Sequence, residues 1–240
     1  MEMKKGLGEM VKFSYYGHAC FLLDDGTHKV LADPFLTGNP AASIQAGDVA
    51  CDYILVTHAH GDHLGDAPEI AARTGAEIIS TPEVLGVCEE RAKGIKGHGM
   101  NLGGSLALPF GKVRMVLAQH SAGVPGGIAC GFVIYIGGLV VYFAGDTALF
   151  TDMELIGRKD PIDFALLPVG DNYTMGLEDA AMATKLLGTR HVIPIHYDTW
   201  PVIQQDVKHF KEVAESLSRA IVHIVKPGEE LDLELADAKA

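Results

Sequence analysis

Short apolar runs recur along the whole chain, separated by glycine, proline and acidic residues, which is the pattern of a protein built from many short strands. In the first half, strands are predicted over residues 11–16, 19–23, 29–32, 53–56 and 77–80. In the second half, they are predicted over residues 106–108, 113–118, 128–136, 139–143, 163–168, 191–195 and 220–225. Helical periodicity and helix-start residues predict helices over residues 66–73, from Thr81 onward, over residues 177–187 and over residues 203–218. Strands that alternate with helices predict an α/β fold.

The order of these elements is similar in the two halves of the chain. In each half an apolar strand, at residues 53–56 and 163–168, is followed by a polar loop containing Gly-Asp, a helix and another apolar strand. This shared order predicts two related α/β halves packed against each other, although residue identity between them is too low to prove a duplication. Because no linker or low-complexity segment interrupts the chain, residues 1–240 are expected to form one domain.

Composition and charge narrow the class of protein. The chain is 48% hydrophobic and 21% charged, as in globular proteins, and 19 basic against 31 acidic residues give a formal charge of −12. That charge repels phosphate backbones, so a nucleic acid partner is not expected. No apolar run reaches the roughly 20 residues of a membrane span, and residues 1–12 lack the apolar core of a signal peptide. With four scattered cysteines that fit a reducing compartment, we expect a cytoplasmic protein without membrane contact.

The densest group of chemically active residues follows the strand at residues 53–56. The next hexapeptide contains four potential metal ligands, His58, His60, Asp62 and His63. Imidazole and carboxylate groups hold divalent transition metals and activate the water bound to them. Side chains alternate along a strand, so His58 and His60 can leave the same face, and Gly61 would permit a sharp turn toward a second position. One loop can therefore supply ligands to two adjacent metals.

Three further apolar strands end in a potential ligand, namely His120, Asp146 and His196. Each alone has an ordinary explanation, as a hydrogen-bonded histidine near the core or as a carboxylate that caps a turn. Sites in α/β proteins, however, gather at one end of the strands, where loops converge. Together the strand ends offer five histidines and two aspartates, enough for about three donors per metal and one bridging carboxylate.

The ligand pattern resembles that of the metallo-β-lactamase superfamily. It consists of His58-x-His60-x-Asp62-His63 followed in order by His120, Asp146 and His196, and the resemblance covers nearly the whole chain. Within the superfamily the chain is most similar to a group of predicted metal-dependent hydrolases and, more distantly, to the lactonase that opens ascorbate 6-phosphate. The supporting segments are residues 17–18, 33–40, 144–150 and 170–176.

This resemblance implies a fold and a role for each ligand. The fold would be a four-layer αββα sandwich. The family pattern assigns His58, His60 and His120 to a first metal, Asp62, His63 and His196 to a second, and Asp146 to a bridge between them. Asp33 matches a family position that supports the ligand loop through hydrogen bonds. A strand-terminating Asp-Pro turn explains Asp33 equally well.

The expected chemistry follows from the two metals. They would lower the pKa of a bridging water and polarise the oxygen under attack, so no serine or cysteine nucleophile is required. Asp62 and Asp146 are the expected catalytic residues, with Asp62 also aiding proton movement. Imidazole with carboxylate favours two zinc ions, with manganese or iron as alternatives. His18, Asp171, Asn172 and Thr174 are expected to contact a small-molecule substrate, with the bracing of loops as the competing explanation.

We therefore expect a hydrolase that uses a metal-bound hydroxide on a small ester, lactone or phosphate-containing substrate. A metal-dependent nuclease or phosphodiesterase is an alternative that the charge of −12 disfavours. A diiron protein that reduces oxygen or nitric oxide is disfavoured because such relatives carry glutamate at the position of His60. A non-enzymatic metal-binding scaffold is the third alternative, and missing ligands would be its sign. The oligomeric state stays open.

Overall fold

A computed structural model describes residues 10–234 and shows two β-sheets packed face to face, with helices on both outer faces. The first sheet has seven strands, and its parallel half delivers the hexapeptide. In spatial order the strands are β14 (Glu230–Leu233), β1 (Val11–Gly17), β2 (Cys20–Asp24), β3 (Lys29–Ala32), β4 (Tyr53–Leu55), β5 (Glu77–Ser80) and β6 (Lys96–Gly99). Neighbours pair antiparallel from β14 to β3 and parallel from β3 to β6, and Val11 lies opposite Leu233.

The second sheet repeats the same series of pairings. Its strands in spatial order are β7 (Ser105–Leu108), β8 (Gly111–Leu117), β9 (Cys130–Ile136), β10 (Leu139–Phe143), β11 (Phe164–Pro168), β12 (His191–Ile195) and β13 (Ile221–Val222). Neighbours pair antiparallel from β7 to β10 and parallel from β10 to β13. This common pattern agrees with the two related halves predicted from the order of elements.

The helices divide between the outer faces of the sheets. Those covering the first sheet are α1 (Gly61–Leu64), α2 (Ala67–Thr74) and α3 (Pro82–Arg91), and those covering the second are α4 (Met153–Lys159), α5 (Leu177–Leu187) and α6 (Val207–Leu217). Short 3-10 turns lie at Ala46–Asp48 and Pro201–Ile203. The predicted αββα sandwich is thus confirmed. Among residues 10–234, no helix combines the length and the apolar character that crossing a bilayer requires.

The central core lies between the two sheets. Phe13 and Phe21 of the first sheet and Phe132 and Phe143 of the second are each 0% exposed. The rings of Phe21 and Phe143 meet edge to face with centroids 5.0 Å apart. Full burial of one such side chain contributes about 1.5–3 kcal/mol, so this interface holds the two sheets in a fixed relation. The strand ends that carry the predicted ligands are positioned by it.

Several elements differ from the sequence-based prediction. The structure adds β6, β14, α1 and α4, and the predicted helix over residues 203–218 begins only at Val207, where Asp206 caps it. The predicted strand over residues 220–225 is only the two-residue β13. Strand β6 has the sequence KGHG, without apolar alternation, and joins the sheet through backbone pairing with β5. In α4, Gly157 breaks the helical pattern, and its missing side chain allows close approach to Leu187.

All four cysteines are free and buried, as the sequence predicts for small apolar residues. Burial raises the pKa of the Cys51 thiol to about 11 and that of Cys88 to about 12. Cys130 donates from Sγ to the Thr57 carbonyl oxygen at 3.3 Å. Thiols with raised pKa values are poor metal ligands, so the cysteines belong to the core.

Candidate metal centre

The predicted ligands come from the ends of four strands. His58 and His60 follow β4, and Asp62 and His63 lie on α1, which begins immediately after them. The remaining three, His120, Asp146 and His196, follow β8, β10 and β12. The two sheets therefore contribute to one site, because their strands end at a common edge.

A first group is formed by His58, His60 and His120. One ring nitrogen from each lies within 4.8 Å of the corresponding atoms of the others. His58 Nε2 and His60 Nδ1 are 2.9 Å apart. The ring of His120 meets those of His58 and His60 edge to face, with centroids 5.1 and 5.2 Å away. These three imidazoles have the spacing of ligands around one ion.

A second group contains Asp62, His63 and His196, and the structure adds His18 to it. One potential ligand atom from each of the four lies within 4.8 Å of the others. His63 and His196 are buried and their rings are stacked with centroids 5.4 Å apart. Asp62 is the outermost member, since 30% of its side chain is exposed.

Asp146 lies between the two groups. Its Oδ1 is 3.2 Å from His63 Nε2, and its Oδ2 is 3.2 Å from His196 Nε2 and 3.6 Å from His120 Nε2. The carboxylate therefore faces His63 and His196 of the second group and His120 of the first. This is the position that a bridging ligand requires.

Buried polar atoms without partners test whether these residues fit a metal. Among the described residues, His63 Nε2, His196 Nε2 and Asp146 Oδ1 are buried and form no hydrogen bond. Leaving such an atom unsatisfied costs about 1–3 kcal/mol, so several of them at one point need a common partner. A divalent cation satisfies imidazole nitrogen and carboxylate oxygen together. The donor set fits a transition metal.

Asp33 fixes the orientation of two of the imidazoles. A carboxylate accepts hydrogen bonds, and Asp33 Oδ2 lies 2.6 Å from both Thr57 Oγ1 and His63 Nδ1, so both groups donate to it. Since the Thr57 hydroxyl donates to Asp33, its oxygen accepts from His58 Nδ1 at 2.9 Å. Neutral His58 and His63 therefore carry hydrogen on Nδ1, which leaves each Nε2 lone pair for the site.

Hydrogen bonds fix both the backbone and the ring of His18. Its carbonyl oxygen accepts from Tyr15 at 2.7 Å and from the His196 backbone N–H at 2.8 Å. Burial lowers the pKa of His18 to about 4, so the ring is neutral at neutral pH. His18 Nε2 lies 3.3 Å from Asp62 Oδ2, and Nδ1 lies 2.8 Å from Thr199 Oγ1. Because the Asp62 carboxylate can only accept, Nε2 donates to it and Nδ1 accepts from the Thr199 hydroxyl.

The pKa values show that the carboxylates and imidazoles of the site stabilise each other's charged forms. Burial alone would raise the pKa of Asp146, but His63 and His196 outweigh it and hold that pKa well below its usual range. Burial would likewise raise the pKa of Asp62, yet the hydrogen bond from His18 and the charge of His63 lower it. Burial would lower the pKa of His63, whereas Asp146 and Asp33 raise it well above its usual value. The carboxylates stay ionised and attract positive charge to this edge.

The hexapeptide turns differently from the prediction. Gly61 was expected to provide a sharp turn, but it is the first residue of α1 and has no left-handed φ. The chain changes direction because a single helical turn starts after His60, whose ψ of 148° is still extended. Asp62 and His63 leave the backbone at angles different from that of His58 because helix and strand present successive side chains differently, although the rings of His58 and His63 still lie with centroids 4.3 Å apart.

Strained backbone is concentrated around the site. Within residues 10–234, six non-glycine residues have left-handed φ values, namely His18, Asp33, Asp171, Asn172, His196 and Asp198. Each such residue costs on the order of 1 kcal/mol, and tertiary structure must hold it in place. Three of the six carry side chains of the site, His18, Asp33 and His196. Left-handed conformation at these strand ends aims the side chains at a common point.

The predicted substrate-contact residues 171–174 lie on the loop after β11. Gly170 brings this loop against His196, since a Cβ on Gly170 would lie 2.4 Å from the His196 carbonyl oxygen. Asp171 and Asn172 are exposed, whereas Thr174 Oγ1 is buried without a hydrogen-bond partner in the described part of the chain. The loop thus borders the site, and no hydrogen bond among the described residues links these side chains to a ligand.

Four further residues of the site were not predicted from the sequence: Phe35, Thr57, Thr199 and Trp200. Thr57 and Thr199 act through neighbouring histidines, and threonine carries no sequence signal for such a role. Phe35 and Trp200 flank His18, with ring centroids 5.8 and 4.9 Å from it. The one available signal was position, because each residue lies within five residues of the end of a strand that leads to a proposed ligand or to Asp33.

Known proteins are similar to this chain in sequence and in fold. A family model described as "Beta-lactamase superfamily domain" matches residues 28–197. The UPF0173 metal-dependent hydrolase of Heliobacterium modesticaldum is 50% identical over 235 residues, covering 93% of this chain and 98% of the relative. The UPF0173 metal-dependent hydrolase of Pyrococcus furiosus is 45% identical over 229 residues, covering 93% and 100%.

Solved structures agree with these matches. Igni18, a metallo hydrolase from the hyperthermophilic archaeon Ignicoccus hospitalis, superimposes with a TM-score of 0.87 at 37% identity, covering 95% of this chain and 100% of that one. The metallo-beta-lactamase fold protein YhfI from Bacillus subtilis, at 14% identity and a TM-score of 0.73, shares the fold over 93% of this chain and 99% of its own. The chain therefore belongs to the metallo-β-lactamase superfamily and is a metal-dependent hydrolase. The predicted family and enzyme class are confirmed.

Proposed function

We propose that this metal-dependent hydrolase holds two divalent metal ions and hydrolyses a small ester, lactone or phosphate-containing molecule, with residues 1–240 acting as one domain. The observation that carries the proposal is the position of Asp146. Its two oxygens face His63 and His196 of one ligand group and His120 of the other, at 3.2–3.6 Å. A site for a single ion would leave one group of imidazoles without a role.

The ligand roles follow from the two groups. In this proposal His58, His60 and His120 hold one ion, Asp62, His63 and His196 hold the other, and Asp146 contacts both. When bound, the ions would lower the pKa of a water molecule and polarise the oxygen under attack. Five imidazoles and two carboxylates favour zinc, with manganese and iron as alternatives.

Asp62 is the residue we propose for proton movement. Its side chain is 30% exposed, whereas that of Asp146 is 4% exposed, so Asp62 is the ligand carboxylate that substrate and solvent can reach. The hydrogen bond from His18 Nε2 fixes one oxygen of Asp62, and the other oxygen can accept a proton from water and pass it to the leaving group. We thus assign His18 to the positioning of Asp62 in place of direct substrate contact.

The loop at residues 170–176 is the proposed substrate-binding segment. Thr174 Oγ1 is buried and has no hydrogen-bond partner among the described residues, so it is free to donate to a bound molecule. The neighbouring Asp171 and Asn172 are exposed beside it. These contacts would orient the substrate, while the ligands supply the reaction chemistry.

The test is the variant Asp146→Asn, which keeps the shape of the side chain and removes one negative oxygen. We expect bound metal to fall from two ions per chain to one or fewer. Loss of a residue that only hydrogen-bonds to a metal ligand lowers activity by up to ~100-fold. We expect the loss in kcat/KM here to be larger. Metal content is measured by elemental analysis of purified protein, and activity by a screen of esters, lactones and phosphate esters with zinc or manganese.

Asp152→Asn is the matched control, because Asp152 is an exposed carboxylate six residues further along the same connection. It should retain both metal and activity. If Asp146→Asn keeps two ions and full activity, the bridging role and the two-metal proposal are wrong.

A further inference from the structure

We infer that the substrate is an uncharged carboxylic ester or lactone whose apolar group binds against Phe35 and Trp200. This inference rests on the proposed function and narrows its substrate class. In the reaction, the oxygen of water bonds to the acyl carbon and the carbon–oxygen bond to the alcohol breaks. The departing oxygen takes up a proton, so an ester gives an acid and an alcohol, and a lactone gives one hydroxy acid.

The apolar wall consists of Phe35 and Trp200 on two different loops. Their ring centroids are 6.0 Å apart with the planes inclined by 34°, and both rings flank His18. Both residues are half-buried, so part of each remains accessible to solvent. Two partly accessible aromatic residues beside buried polar ligands provide a site for an apolar group.

A pocket continues from this wall. It has a volume of about 310 Å³ and is lined by Asp198, Thr199, Trp200, Pro201 and Gln204. Thr199 connects it to the reacting edge, because its hydroxyl contacts His18 and His18 contacts Asp62. A substrate group on Trp200 can therefore extend into the pocket while its carbonyl lies at the metal ligands. Pockets of about this volume hold small organic molecules.

The described segments that form this site carry no lysine or arginine. The segments that carry the ligands and their neighbours contain neither lysine nor arginine; they are residues 17–19, 33–66, 118–129, 144–157, 169–184 and 196–207. Besides metal ions, the groups that recognise phosphate and carboxylate in proteins are arginine, lysine and helix N-termini. The longer helices that begin here, α2 and α5, have Glu69, Glu178 and Asp179 in their first turns, which already neutralise the helix ends.

The balance of charge at the site also favours an uncharged substrate. Two divalent ions carry four positive charges, and Asp33, Asp62 and Asp146 offset three of them. Asp171 and Asp198 add negative charge on the surrounding loops, and the whole chain carries −12. A dianionic phosphate group would bring two further negative charges without a basic partner, whereas a neutral ester brings none.

The experiment compares three substrates with the same chromophore on the metal-loaded full chain: p-nitrophenyl butyrate, bis(p-nitrophenyl) phosphate and p-nitrophenyl phosphate. We expect kcat/KM for the neutral ester to exceed both phosphate values by about a hundredfold or more. A preference for either phosphate overturns the inference. If that preference is lost in Asp146→Asn, the metal-site proposal stands and only the substrate class fails.

Substitutions of Trp200 test the wall. Trp200→Ala should raise KM for p-nitrophenyl butyrate about tenfold with a smaller change in kcat, and Trp200→Phe should restore most of the loss. Leu155→Ala is the control, because Leu155 is an exposed apolar residue on α4, and its KM should not change. Unchanged KM in Trp200→Ala contradicts the inference. Gln204→Lys adds a cation to the pocket and should raise kcat/KM for the phosphates relative to the ester.

Binding provides a readout that does not require turnover. Trp200 is the single tryptophan of the chain, so its fluorescence reports occupation of the wall. Phenylacetamide should change this fluorescence at lower concentration than benzylphosphonate does. Tighter binding of the phosphonate at Trp200 contradicts the inference even if no substrate is hydrolysed.

Discussion

At the scale of single residues, hydrogen bonds decide which ring nitrogens are available to a metal. Asp33 is 0% exposed and accepts from the Thr57 backbone N–H and hydroxyl and from His63 Nδ1. One carboxylate thereby sets the tautomer of His63 directly and of His58 through Thr57. Both ligand groups are oriented by the same buried side chain, which links their geometry.

Thr199 has the corresponding role for His18, and its hydroxyl can be removed alone. In Thr199→Val, His18 Nδ1 loses its donor and the ring can turn away from Asp62. We expect kcat/KM to fall about tenfold, as for other outer partners of metal ligands. Thr199→Ser keeps the hydroxyl and should restore activity.

The unfolding midpoint separates this effect from a general loss of stability. Thr199→Val removes one hydrogen bond of about 1 kcal/mol, so the variant should remain folded at the assay temperature. Equal activity of the valine and serine variants would contradict the positioning role of His18 and Thr199.

At the scale of elements, a glycine in one loop makes room for a proposed ligand, His60, on another loop. The loop after β8 lies on the hexapeptide, where the Ala59 backbone N–H donates to the Ala122 carbonyl oxygen at 2.8 Å. Gly123 has a φ of +70°, and a Cβ there would lie 2.6 Å from His60 Cδ2 and 2.7 Å from His60 N. Gly123→Ala must therefore displace His60. We expect loss of about one bound ion per chain, measured by elemental analysis.

Gly126→Ala is the matched control for this variant. Gly126 lies in the same loop with a φ of +75°, but nothing lies within 4 Å of its Cβ position. Both variants carry the same backbone strain, of about 1 kcal/mol, and only Gly123→Ala adds the clash. Equal metal content in the two variants would show that His60 does not depend on this contact.

Element prediction from the sequence succeeded where apolar runs were bounded by turn residues. The strands leading to His58, His120, Asp146 and His196 were all predicted, because each is a buried run that ends in a polar residue. Strand β6 was not predicted, because backbone pairing with β5 substitutes for apolar side chains. Edge strands and short helices are stabilised by contacts with neighbouring elements, and the periodicity of the sequence carries no information about those contacts.

At the scale of the whole molecule, the site lies between the two sheets. His58, His60, Asp62 and His63 follow a strand of the first sheet, whereas His120, Asp146 and His196 follow strands of the second. Each proposed ion therefore has ligands from both sheets. Bound metal should hold the sheets together at this edge, in addition to the phenylalanine core.

Metal removal should for this reason lower the stability of the whole fold. A ligand present at a hundred times its Kd stabilises the native state by about 2.7 kcal/mol, which for a chain of this size corresponds to a Tm increase of about 5–10 °C. We expect Tm to fall by this amount after chelation and to recover when zinc or manganese is added, as measured by calorimetry.

The variant Asp146→Asn supplies the comparison for this measurement. It should show a much smaller Tm change on chelation, because it has lost the shared ligand. If chelation leaves the Tm of the unaltered protein unchanged, metal does not connect the two sheets.

Sequence reasoning predicted the ligands but not the surroundings of the site. His58, His120 and Asp146 could be proposed as ligands because ligand chemistry belongs to few residue types and recurs at strand ends. Trp200 and Thr199 could not, because their roles depend on which loops meet in space. The distances that make Phe35 and Trp200 one wall join residues far apart in the chain.

The first and last described strands lie side by side, with Val11 of β1 opposite Leu233 of β14. Elsewhere β9 and β10 are joined by the tight turn at Gly137 and Gly138. A circular permutant that joined the two ends through a linker and opened the chain between these glycines would preserve every strand pairing. It would place Asp146 and His196 ahead of His58 in the new order. The site thus depends on which strand ends meet in space. A chain that visits the same strands in a different order would form the same site.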